Sequence, residues 1–172
     1  MAKLKSVKVN LILPFIGSVE GAWEPDETER DAAWELYVEL ITRISIVELK
    51  PKEGFLREAL TSLHSLFATS RAILKKYGAS VARSKCESSI SFGYLAVAIL
   101  NTVLRPVLAQ WHPLLSDYEN KKPERISVIE HEKNWERHAE LGKALNDVRI
   151  ILIEYADLLA QVADVPLFLI GR

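Results

Sequence analysis

The sequence is poor in cysteine, glycine and proline. Its 172 residues include one cysteine, seven glycines and seven prolines. A single cysteine cannot form an internal disulfide, so we expect a reducing, cytoplasmic setting. The low glycine and proline content, with hydrophobic residues at 49% of the chain, argues against a disordered or an all-β protein.

An excess of charge of either sign is also missing. Twenty-two basic and 23 acidic residues leave a net charge of −1, so bulk charge gives no reason to expect a nucleic-acid partner. The longest apolar stretch, residues 90–108, is interrupted by Asn101, Thr102 and Arg105. We therefore expect it to be a buried helix without membrane contact. Residues 7–16 lack the features of a secretory leader.

An alternating pattern near the N-terminus predicts a strand. The run 7–13 has hydrophobic side chains at every second position from Val7, which is typical of a strand with one buried face. Pro14 and Gly17 then predict a turn, and residues 18–23 can return as a second short strand. The sequence thus predicts a hairpin that must pack on another element, because an isolated hairpin is marginally stable.

Four later segments carry helical patterns, at about residues 25–48, 54–77, 91–112 and 127–164. The second and fourth have hydrophobic seams with residues alternately four and three apart. The third has no charged residue between positions 91 and 104, which is typical of a helix buried on most sides. The fourth begins with a capping box and would be about 55 Å long.

These elements predict an all-α fold: an antiparallel four-helix bundle with a long C-terminal helix and a short N-terminal β-strand or hairpin as an appendage. Residues 1–24 are expected to form the appendage and residues 25–172 the bundle, within a single domain. The two seams and the charge-free third helix exceed what one isolated bundle has to bury. We therefore expect self-association, as a homodimer, or association with another helical protein.

Some polar residues of the third and fourth helices are not explained by core packing. If these helices are antiparallel neighbours, Arg105 comes near Asn134 and Asn101 comes near His138. We therefore predict a binding site at one end of the bundle. Its residues are Asn101, Arg105, His112, His131, Asn134, Trp135 and His138.

A purely structural explanation of the same residues stays open. A buried arginine is rare unless it is paired, so Arg105 could bind the carboxylate of Glu39 or Asp147. Asn101 could satisfy backbone groups released by a kink at Pro106.

One spacing resembles a known family. Arg105 and His112, with six residues between them, resemble the signature of HEPN ribonucleases, and Arg125 and His131, with five between them, fit the same pattern. The resemblance implies an all-helical protein in which paired Arg and His residues meet at a dimer interface and cleave RNA without a metal. Arg105 would stabilise the charge of the transition state, and His112 would move the proton. Pro106 departs from the polar residue that the family usually has there.

Three hypotheses for function follow. The first is a non-catalytic interaction or accessory protein that acts through apolar helix faces, as a homo-oligomer or as a subunit of a bacterial multi-protein system. The second is a metal-independent ribonuclease that uses Arg105 and His112. The third is a bundle with a small-ligand pocket lined by Asn101, Arg105, His131 and Trp135. No metal or cofactor is predicted, because His131 lacks a second histidine at the spacing that metal sites use.

Overall fold

The structure is a computed structural model that describes residues 5–43, 55–85, 87 and 89–168. The strands are β1 (Val7–Leu13) and β2 (Gly17–Trp23). A short 3₁₀ turn lies at Ala79–Ala82. The helices in the described ranges are α1 (Glu27–Ile41), α2 (Leu56–Tyr77), α3 (Phe92–Glu119), α4 (Val128–Lys133) and α5 (His138–Ala163).

β1 and β2 form the antiparallel hairpin that the alternating pattern predicts. Their register runs from Val7 opposite Trp23 to Leu13 opposite Gly17. Every second side chain of β1 is buried, beginning with Val7, and the strand packs against α5. The sheet therefore shares the hydrophobic core with the helices, and the description of it as an appendage is wrong.

The core forms where α1 packs against α5 and α2. Gly78 ends α2 at a positive φ of 72°, as expected for a glycine after a helix. The last part of the predicted first helix, residues 44–48, lies outside the described residues. The seam predicted on the fourth helix is confirmed, because all its members are buried: Leu141, Leu145, Val148, Leu152, Tyr155, Leu159 and Val162.

α3 is longer than its sequence pattern predicts. It continues through Pro113 to Glu119, and its residues Ile99–Leu104 are wound as a π-helix. Pro106 lies two residues after the end of this segment. Proline lacks the N–H group and crowds the preceding turn, and a wider turn relieves that crowding. The disturbance expected at Pro106 therefore takes the form of a π segment.

Among the described helices, α3 is the one that is long and apolar enough to cross a membrane. Its most apolar 18-residue window has a mean hydropathy of 1.6, and 56% of that window is buried inside the chain. The core helix of a soluble protein meets the same criteria. Length and composition therefore do not decide between the two.

The predicted antiparallel four-helix bundle with a long C-terminal helix is wrong. The expected fourth helix is divided into α4 and α5 by a turn at residues 134–137. Trp135 in this turn is buried, with its ring 6.1 Å from that of Trp111 and 5.4 Å from that of Tyr118. This aromatic packing outweighs the local helical preference. The fold is mostly helical, with five described helices and a two-stranded sheet.

Candidate functional site

One arginine holds α2 and α3 side by side. Arg57, in the first turn of α2, donates from Nε to Glu119 Oε1 at 2.9 Å and from Nη2 to Glu119 Oε2 at 2.8 Å. Nη2 also donates to Ser116 Oγ at 3.0 Å. Two turns further along α2, the ring of His64 lies 5.6 Å from that of His112. The two helices are therefore antiparallel.

An open groove of about 710 Å³ lies between the two helices, and we call it the α2–α3 groove. Its apolar walls are Phe67, Leu74, Val97, Leu100, Leu108 and Ala109. Its polar lining residues are His64, Arg71, Asn101, Arg105 and His112. No aspartate or glutamate belongs to either set.

The neighbours of His112 favour the neutral form of its ring. Arg57 Nη1 lies 2.9 Å from His112 Nδ1. A guanidinium can only donate, so Nδ1 accepts and the neutral ring carries its proton on Nε2. Burial lowers the pKa of His112, and the charges of Arg57 and His64 lower it further. Nε2 is itself buried and has no hydrogen-bond partner among the described residues.

The two arginines of the groove are exposed. Arg105 Nη2 donates to Asn101 Oδ1, one turn earlier on α3, at 2.8 Å. The guanidinium carbon of Arg71 lies 5.7 Å from the centroid of the Phe67 ring. Within the described part of the chain, neither Arg71 nor Arg105 has a carboxylate at ion-pair distance.

The ion pair that was expected between Arg105 and Glu39 or Asp147 is not formed. The carboxylate of Glu39 pairs with Arg43, and that of Asp147 pairs with Lys143. Asn101 binds the side chain of Arg105 rather than the backbone near Pro106.

The structure brings Asn101, Arg105 and His112 together and separates them from the predicted residues that follow α3. Asn101 and Arg105 face α2 in the groove, whereas Asn134 borders a different pocket. The register that placed Arg105 near Asn134 is therefore wrong. Because α3 continues to Glu119, its last turns face α4 and its middle does not.

The other predicted residues lie around Tyr118. The rings of Tyr118 and His131 stack at 4.0 Å. Tyr118 Oη donates to the His131 carbonyl at 2.7 Å, and His131 Nε2 lies 2.8 Å from the Tyr118 carbonyl. Asn134 and Trp135 border a pocket of about 490 Å³, which we call the Trp135 pocket. The side chains of Tyr118, which also lines this pocket, and of His131 thus each bind the backbone carbonyl of the other residue.

Glu132 is a buried residue that the sequence pattern did not single out. Its carboxylate accepts from the backbone N–H groups of Leu56 at 2.9 Å and Arg57 at 3.3 Å. A carboxylate is stabilising at a helix N-terminus, where N–H groups lack partners within the helix. His138 Nε2 lies 4.0 Å from Glu132 Oε1. This group therefore fixes the start of α2 against α4.

The chain matches no known protein family, curated protein or solved structure. Among the residues that the structure describes, no group of three or more His, Cys, Asp or Glu side chains could hold a metal ion. The groove also has no serine or cysteine among its described lining residues. Its chemistry is therefore that of apolar contacts and hydrogen-bond donors.

Sequence reasoning missed the α2 side of the groove. Arg57, His64 and Arg71 repeat every seven residues on α2, and Arg105 and His112 are also seven residues apart on α3. Seven residues are close to two helical turns, so each set forms a stripe along one side of its helix. The matching period of the two polar stripes was the signal that could have paired the helices.

Proposed function

We propose that the chain is a non-catalytic binding protein and that the α2–α3 groove holds a small molecule with an apolar body. The observation that carries the proposal is a groove of about 710 Å³ with mostly apolar walls and a few polar groups. Small-molecule sites in proteins typically measure about 300–1,000 Å³ and have this composition.

The groove is a better candidate than the Trp135 pocket. It is larger, at about 710 Å³ against about 490 Å³. The side chains of Tyr118 and His131 beside the Trp135 pocket already bind each other's carbonyl groups. In the groove, Arg71 and Arg105 are exposed and have no carboxylate partner among the described residues. Their guanidinium groups therefore remain accessible to a ligand.

The contacts of His112 and Arg105 support binding rather than proton transfer. Nδ1 of His112 accepts from Arg57, so its proton is on Nε2 and the ring has no free basic nitrogen. Arg105 is bonded to Asn101. The ribonuclease alternative, with Arg105 and His112 as catalytic residues, stays a prediction. Metal-free cleavage of RNA that is lost in His112→Ala would support it.

A role as an interaction or accessory protein in a bacterial multi-protein system also stays a prediction, as do self-association, another helical partner and a cytoplasmic location. Exposed apolar side chains on the charge-free part of α3 favour an interaction surface. Tyr94 is 51% exposed and Val97 is 45% exposed. Light scattering at micromolar concentration tests self-association: a dimer mass supports it, and a monomer mass contradicts it.

A substitution that fills the groove tests the proposed function. Ala109 is an exposed lining residue on α3, and its neighbour Gln110 is exposed but does not line the groove. In fluorescence titrations with the neutral apolar probe N-phenyl-1-naphthylamine, we expect Ala109→Trp to weaken binding by roughly tenfold or more. Gln110→Trp should bind like the unmodified chain. Equal binding by both variants, or no binding by the unmodified chain, contradicts the proposal.

A further inference from the structure

Apart from His64, whose neutral ring both donates and accepts, the polar side chains that line the α2–α3 groove present hydrogen-bond donors. A guanidinium has donors only, which applies to Arg71 and Arg105. The oxygen of Asn101 is already bound by Arg105, so its free group is the NH₂. His112 has its N–H at Nε2, which is buried beside the groove, because Nδ1 accepts from Arg57. The complement of such a set is a ligand with acceptor oxygens.

The groove also has an excess of positive charge, which favours an anionic ligand. Its lining residues include two arginines and no aspartate or glutamate. The nearby carboxylate of Glu119 is bound by Arg57 through both oxygens. Arg57 is thus neutralised within the chain, whereas in the described structure Arg71 and Arg105 have no carboxylate partner. These two cations remain for an external anion.

Arg71 and Arg105 lie at matching levels on the two sides of the groove. His64 faces His112 across it. The helices α2 and α3 are antiparallel and rise equally per residue. Arg71, seven residues after His64, is therefore level with Arg105, seven residues before His112. The bond to Asn101 orients Arg105 and uses one of its five N–H donors. Guanidinium groups bind carboxylates and phosphates through paired hydrogen bonds.

On the basis of the proposed function, we propose that the ligand of the groove is an amphipathic organic anion. Its carboxylate or phosphate group binds between Arg71 and Arg105, and its apolar body lies against Phe67, Leu100 and Leu108.

A matched series of eight-carbon compounds tests this inference by isothermal titration calorimetry. Octanoate and octyl phosphate carry the two candidate anionic groups, octanol is uncharged, and octylammonium is a cation with the same body. We expect both anions to bind the full chain about tenfold more tightly than octanol, which is about 1.4 kcal/mol. The tighter of the two anions identifies the preferred head group. Octylammonium should bind most weakly.

Variants of the two arginines locate the anion. Arg71→Gln and Arg105→Gln each remove one cation at an exposed position and should weaken octanoate binding by about tenfold, and octanol binding by much less. Arg83→Gln is the matched control, because Arg83 is exposed and does not line the groove. Circular dichroism confirms that each variant is folded.

The outcomes separate this inference from the proposed function. If octanol binds as tightly as the anions, or if octylammonium binds more tightly, the anionic ligand is refuted and the groove remains an apolar binding site. If the anions bind more tightly than octanol but neither arginine variant weakens anion binding, the placement of the head group is wrong. If no compound of the series binds, both the inference and the proposed function are refuted.

Discussion

Glu29 and His112 each lie in a cluster of polar groups between neighbouring elements. The two clusters differ in how many of their polar groups have a hydrogen-bond partner. The carboxylate of Glu29 is buried and accepts from Trp23 Nε1 at 3.1 Å, from the Phe92 N–H at 3.0 Å and from Lys85 Nζ at 3.0 Å. His112 has one nitrogen bound by Arg57 and one buried nitrogen without a described partner.

The difference distinguishes polar groups that serve folding from polar groups that remain for a ligand. Most buried polar groups in proteins have a hydrogen-bond partner, because an unpaired one costs about 1–3 kcal/mol. The Glu29 cluster follows this rule and joins β2, α1 and the start of α3. The groove departs from it at His112 and carries two arginines without a described carboxylate partner. This difference supports a structural role for the first cluster and the binding role proposed for the second.

The largest expected effect is on stability, at the complete cluster. Glu29→Ala leaves the N–H groups of Trp23 and Phe92 and the ammonium group of Lys85 without their shared acceptor. We expect the free energy of unfolding to fall by about 3–5 kcal/mol in urea denaturation followed by circular dichroism. Octanoate affinity of the folded fraction should be unchanged. A loss below about 1 kcal/mol would mean that the complete cluster is not what holds β2 to α3.

A smaller effect is expected at the incomplete cluster, as a pH dependence of stability. Burial, then Arg57 and His64, lower the pKa of His112 below its usual 6.5. The unfolded chain therefore takes up this proton at a higher pH than the folded chain. The contribution of His112 to stability is present above pH 6.5 and is lost as the pH falls through its folded pKa.

His112→Gln provides the comparison for that pH dependence, because glutamine can still accept from Arg57. The unfolding free energy of this variant should fall less than that of the unmodified chain between pH 7.5 and pH 5.5. Identical pH profiles of the two proteins would show that His112 does not carry the lowered pKa.

Local patterns predicted those elements whose sequences and packing agree. Val7 begins an alternating strand whose every second side chain is buried, and Leu141 begins a helical seam that is buried along its length. The break before His138 was not predictable from periodicity, because it depends on the contact of Trp135 with Trp111 and Tyr118. That contact joins residues distant in sequence, and it overrides the local preference for helix.

The candidate site was predicted only in part, because half of it depends on contacts between residues distant in sequence. Asn101, Arg105 and His112 share the groove because helical spacing alone puts them on one side of α3. Their partners could not be found by spacing on one helix. The partner helix is α2, and α3 continues past Pro113 to Glu119, which shifted the predicted register.

The binding of an anion in the α2–α3 groove is tested most directly by NMR, in which the side-chain N–H signals of the ¹⁵N-labelled chain are followed as octanoate is added. We predict shifts of the Arg71 and Arg105 Nε–H signals and of the His112 ring. We also predict no shift of the indole N–H of Trp23, which is bound by Glu29, or of Trp135 beside the second pocket. Shifts at Trp23 or Trp135 without shifts in the groove, or no shifts at any of these groups, would contradict it.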